Sequence, residues 1–137
     1  MGRCHQLFTA HAIAAAAASA PTTAINRGVL LLLRRTVAAE FIGTCLLTAV
    51  VVGSGRMATN LTNDLAVALL MNAAATVCAL GLLIWVLAPV SGAHFNPAVT
   101  VIMKARGELS VGRASAYVVS QVAGAVAGSI LANVLYD

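Results

Sequence analysis

The chain has 137 residues, of which 61% are hydrophobic and only 9% charged, and its mean hydropathy is +0.95. A soluble domain carries about 25% charged residues, so this composition excludes one and indicates an integral membrane protein. The net charge of +4 does not point to nucleic acid. The basic residues flank apolar stretches instead of lining a polar face with aromatics, as the positive-inside rule expects of membrane loops.

Residues 1–26 are Ala-rich and close on Pro21-Thr-Thr-Ala24. Arg3 followed by the Ala-rich run over 12–20 loosely matches a secretory signal with a small-residue cleavage site. Alanine is weakly hydrophobic, so the favoured reading is a disordered or cytoplasmic extension over 1–35, or a start codon assigned too far upstream. Residues 28–33 are apolar but too short to span; they extend the first span toward the cytoplasmic surface or lie on it.

Three apolar segments follow, at about 37–53, 65–87 and 113–136, each near the ~20 residues that cross a hydrocarbon core. Gly53-Ser-Gly55 is expected to end the first and Pro89 the second, with Trp85 as an interface anchor. Arg3, Arg27, Arg34 and Arg35 precede the first span and Lys104, Arg106 and Arg113 lie between the second and third, whereas only Arg56 lies between the first and second. This bias puts the N-terminus in the cytoplasm of a plasma-membrane protein and the C-terminus outside. Cys4, Cys45 and Cys78 have no metal-ligand spacing and are read as small hydrophobes.

The most informative stretch is Ser91-Gly-Ala-His-Phe-Asn-Pro-Ala-Val-Thr100. Asn96 is a strong helix N-cap, and Pro97 suits the first helical position, where no N–H is needed. A helix from 97 to about 104 is too short to span, and its positive dipole end points into an apolar setting. Residues 90–104 therefore read as a re-entrant segment. Lipid-exposed irregular backbone is not tolerated at that depth, so residues 91–94 are expected as extended backbone with free carbonyls along a water-filled path.

Ala39-Glu-Phe-Ile-Gly-Thr44 in the first span, Ser91 to Thr100, and Ala116-Tyr117 with Gln121-Val-Ala-Gly-Ala125 in the third resemble the major intrinsic proteins, the aquaporins and glycerol facilitators. Val50 to Gly55 and Met57 resemble its bacterial members. The resemblance covers about residues 36–136 and implies an all-α membrane fold of two inverted repeats, each with three spanning helices and one re-entrant half-helix. This chain reads as one such repeat over 36–137, since a single Asn-Pro-Ala triplet, Asn96-Pro97-Ala98, occurs in it. The implied function is a passive channel for water or small neutral solutes such as glycerol, needing no cofactor. The alternatives are a non-conducting truncated protein or a half-channel requiring a complementary chain. Complete family members are tetramers, so a homo-oligomer in the bilayer is an implied partner. Enzyme chemistry lacks a nucleophile–base pair or a metal cluster.

The resemblance also implies residue roles. Asn96 donates its amide N–H to the passing solute, and Gly92, Ala93 and His94 line the path with carbonyls. The bland readings are a plain cap and a structural histidine. Glu40, an ionisable group inside a span, accepts bonds from the re-entrant loop instead of snorkelling, and Gln121 and Asn72 brace neighbouring backbone. Thr76, twenty positions before Asn96, matches the second-span position of the selectivity constriction; its alternative is an ordinary interhelical hydrogen bond. Gly124 and Gly128 sit at the spacing that lets helices approach closely, and with Gly43 they are read as serving the fold and not dimerisation.

Overall fold

A computed structural model describes residues 22–136. The chain divides into two units, Met1–Leu32 and Leu33–Asp137. Of the first, residues 22–32 are helical; the expectations for the Ala-rich extension and a cleaved signal fall largely outside the described residues. All packing described below lies within the second unit. The described residues form four helices and no strand: α1 (Thr22–Leu61), α2 (Leu65–Ser91), α3 (Pro97–Ala105) and α4 (Val111–Tyr136). Three are long and apolar enough to cross a membrane; α3, with 9 residues, is not.

Two spans run further than the sequence suggests. The first does not end at Gly53-Ser-Gly55 but continues to Leu61. Those glycines are sites of close approach, not stops. A Cβ on Gly53 would lie 2.5 Å from the Tyr136 ring, and one on Gly55 would lie 2.6 Å from the Asn72 amide nitrogen. Ser54 meanwhile turns its hydroxyl back to the Val50 carbonyl at 2.6 Å. Likewise Pro89 does not stop α2. It lies inside the last turn, and the helix ends at Gly92, left-handed at φ 92°, whose N–H reaches the Ala88 carbonyl. At the other end Asp64 caps α2, its carboxylate accepting from the N–H groups of Ala66 (2.8 Å) and Val67 (3.2 Å).

The burial pattern is inverted relative to a soluble protein. The largest fully buried side chains are Tyr117, Gln121, Glu40 and Thr100, whereas Trp85 is 79% exposed and Leu65 78%. In hydrocarbon the surface is apolar and polar groups must find partners inside. The buried residues of α4 include Tyr117, Gln121, Gly124, Gly128 and Ala132, three or four apart and hence on one face. On that face Gly124 and Gly128 admit the backbone of α1. A Cβ at Gly124 would come 2.5 Å from the Phe41 carbonyl oxygen, and one at Gly128 would overlap the Cys45 carbonyl. This small-residue pair is consumed by the α1–α4 contact.

Candidate functional site

The centre of the unit is the carboxylate of Glu40, wholly buried on α1. Its Oε1 accepts from the Ser91 hydroxyl (2.6 Å) and the His94 N–H (3.0 Å). Its Oε2 accepts from the Phe95 N–H (2.8 Å) and from Gln121 Nε2 (2.8 Å). Four donors converge on an acceptor-only group, which ties α1, the end of α2, the connecting loop and α4 together. The bonds also meet a need of the loop: residues 93–95 are not helical, so their N–H groups lack helical partners. Backbone donors buried without partners would cost several kcal/mol each in a dry setting.

The loop departs from the extended backbone expected for residues 91–94. Ser91 is the last residue of α2, and Gly92, Ala93 and Phe95 have φ of 92°, 52° and 50°. For the alanine and phenylalanine this left-handed conformation is unfavourable by about 1 kcal/mol or more, and the surroundings hold it. The Glu40 bonds fix the N–H groups of His94 and Phe95, and the Phe95 ring fills the space beside Gly43 that any Cβ would occupy. An extended strand would carry these two N–H groups away from one carboxylate.

A second layer braces the first. Gln121 Nε2 also donates to Thr100 Oγ1 (2.9 Å), and His94 Nδ1 lies 3.1 Å from the same oxygen. The arrangement that spends every hydrogen has the Thr100 hydroxyl donating to Nδ1, which leaves the ring hydrogen on Nε2. The Tyr117 hydroxyl donates to the Ser91 carbonyl (2.9 Å), and its ring meets the His94 ring edge-on at 5.5 Å. The Ser91 carbonyl is therefore occupied. Those of Gly92, Ala93 and His94 accept no protein hydrogen bond among the described residues.

Asn96 begins α3 as N-cap, with its Oδ1 accepting from the Ala98 N–H at 2.8 Å and Pro97 next in line. Spending the oxygen in the cap leaves Nδ2 outward, and it donates to no protein group among the described residues. The side chain is exposed. An amide donor, three carbonyls without a protein hydrogen bond among the described residues and a positive helix end thus share one short segment, which carries both donors and acceptors but no net charge.

Glu40, Gln121, His94 and Asn96 come together around this loop, whereas Thr76 stands apart and shares no hydrogen bond with it among the described residues. Its hydroxyl donates to Asn72 Oδ1 within α2 (3.2 Å), and Asn72 Nδ2 donates to the Val51 carbonyl of α1 (3.2 Å). The interhelical bond is thus made by Asn72. Sequence reasoning gave no role to Thr100 or the Tyr117 hydroxyl. The signal that could have found them was spacing: Thr100 falls four after Asn96 and Tyr117 four before Gln121, one turn from a residue already singled out.

Residues 29–137 match the sequence profile of the major intrinsic proteins. The chain belongs to the major intrinsic protein family. Among curated relatives, the aquaglyceroporin AqpS of Rhizobium meliloti (strain 1021) is 50% identical over 105 residues, covering 77% of this chain and 45% of that protein. Aquaporin NIP1-1 of Arabidopsis thaliana is 36% identical over 98 residues, 72% of this chain and 32% of the relative. Aquaporin-5 of Sus scrofa is 47% identical over 58 residues, 42% of this chain and 21% of the relative. The chain thus spans under half the length of these relatives. Family membership and the three spanning helices make it a multi-pass membrane protein of a channel family for water or small solutes.

Proposed function

We propose that the chain supplies one half of a passive pore for water or small neutral solutes, the other half coming from a complementary repeat on the same or another polypeptide. Asn96 supports this reading most directly: its cap holds the side-chain oxygen and leaves Nδ2 unclaimed, beside the unclaimed carbonyls of Gly92, Ala93 and His94. A solute that donates to the carbonyls and accepts from Asn96 exchanges its hydration for fixed partners. The N-terminal dipole of α3 disfavours cations and protons there. Glu40 and Gln121 hold the strip without touching the solute. The likeness to a relative named an aquaglyceroporin favours a path that admits polyols as well as water. A second reading is a non-conducting half-repeat: residues 96–99 at the start of α3 are exposed in this unit, and polar backbone exposed to lipid is costly.

Swelling of proteoliposomes carrying the full-length protein, in an osmotic step with glycerol, tests the proposal. Asn96→Asp places an acceptor-only group where a donor is required, and flux is expected to fall to the protein-free rate. Flux unchanged by Asn96→Asp would refute the role of Asn96; no flux in the unaltered protein would favour the non-conducting reading.

A further inference from the structure

We propose that the groove between α3 and α4 seats one anionic phospholipid, its headgroup phosphate at the Lys104 ammonium and one acyl chain laid along α4. The proposal stands apart from conduction and holds whether or not this half forms a pore.

The groove has a volume of about 370 Å³ and is lined by Val101 and Lys104 of α3 and by Val111, Ala114, Val118 and Val119 of α4. The α4 positions recur at three and four residues and so share one face. From Val111 to Val119 the groove follows two turns of that helix, about 12 Å. Its wall stays apolar throughout, because Ser115, the one hydroxyl in it, donates to the Val111 carbonyl one turn back at 3.0 Å. The charged group is Lys104, in the last turn of α3. Residues 106–110 join that turn to the first turn of α4, so Lys104 and Val111 lie at the same end. A cation at one end and an apolar wall beyond it repeat the order of an anionic lipid, phosphate first and hydrocarbon after.

Two further observations place that cation among headgroups and leave it available. The joining loop carries Arg106 and Glu108, charged groups that avoid hydrocarbon, so this end of α3 and α4 lies at a membrane surface whichever way the chain inserts. Arg106 is paired with Glu108 at 2.9 Å, whereas Lys104 is exposed and has no ion pair or hydrogen bond among the described residues. Lys104, Arg106 and Arg113 against Glu108 leave residues 104–113 at net +2, which attracts an anionic headgroup and gives a zwitterionic one little. Basic pockets between spanning helices at this level suit lipid phosphates. A protein helix laid in the same groove would bury the ammonium against apolar atoms, a costly step without a carboxylate partner.

The test reads lipid contact by fluorescence quenching of the full-length protein in vesicles of phosphatidylcholine and phosphatidylglycerol, with bromine on the acyl chains of one or the other. Trp85 is the one natural tryptophan, exposed on α2, a helix without Lys or Arg. It reports the ordinary lipid surround, and both lipids are expected to quench it equally. In a Trp85→Phe background, Val119→Trp moves the reporter to the exposed rim of the groove. There phosphatidylglycerol is expected to be favoured about fivefold, the order of one lysine at an anionic surface. Lys104→Gln brings that ratio near one and Lys104→Arg keeps it. Arg113→Gln, an equal change of charge outside the groove lining, leaves it. Ala114→Phe fills the groove and lowers the ratio with Lys104 intact; if it is not recovered folded, the variants at the exposed positions 104 and 113 carry the test. Equal ratios at the two reporters, or equal losses from Lys104→Gln and Arg113→Gln, mean that lipid answers to overall charge alone and overturn the proposal. Quenching by neither lipid at position 119 means that protein covers the groove, and overturns it as well. None of these outcomes bears on the pore, which Asn96→Asp tests separately.

Discussion

At the scale of single residues, Glu40 carries the most structural consequence per atom. A carboxylate in hydrocarbon is costly unless every lone pair is used, and here four donors use them. Glu40→Gln keeps the shape but turns an NH₂ toward donors, leaving at least one N–H or O–H unpaired. A buried unpaired donor costs about 1–3 kcal/mol, so the variant is expected to unfold in detergent at clearly lower temperature than the wild type. An unchanged melting temperature would mean that the loop does not depend on the carboxylate. Thr100→Val, which removes only the brace to Gln121 and His94, is expected to cost less than Glu40→Gln in the same measurement.

At the scale of elements, contact between α1 and α4 depends on glycines whose missing side chains are replaced by backbone. Overpacking a close contact costs about 1–3 kcal/mol, occasionally more. Gly128→Val, directed into the Cys45 carbonyl and Thr48, should therefore separate the two helices and shorten the lifetime of the folded protein under limited proteolysis. A Cβ added at Gly81 or Gly112 would meet nothing within 4 Å. Replacing either by Ala should be neutral or stabilising by up to about 1 kcal/mol, the helix-propensity gain. Equal effects at all three positions would contradict the packing assigned to Gly128. Glycines and prolines also show where local rules mislead. Gly53 and Pro89 are ordinary stop signals, yet α1 passes through the first and α2 through the second. A glycine needed for close approach is indistinguishable in sequence from one that ends a helix, because the deciding partner, Tyr136 or Asn72, is far along the chain.

For the whole molecule, polar residues inside and apolar residues outside require a lipid surround. Arg34, Arg35, Lys104, Arg106 and Arg113 against Arg56 set the proposed direction of insertion. With the natural cysteines replaced by alanine, Asn63→Cys is expected to react with a membrane-impermeant maleimide in intact cells, and Glu108→Cys only after permeabilisation. The opposite pattern would reverse the proposed topology.

Composition alone determined that this is a membrane protein, and segment length determined three spans and one helix too short to span. The triplet Asn96-Pro97-Ala98, with its flanking residues, determined where the short helix starts, because capping is a local property of side chain and backbone. Only the tertiary structure decided that the loop before it is left-handed and held by Glu40, and that Gly124 and Gly128 are spent on α1. It likewise decided that the Asn72 amide on α2 reaches the Val51 carbonyl of α1. Each of these rests on atoms 21 to 83 positions apart in sequence. Hydrogen bonding and close packing act over a few ångströms of space, and nothing in the order of residues states which distant groups the fold will bring that near.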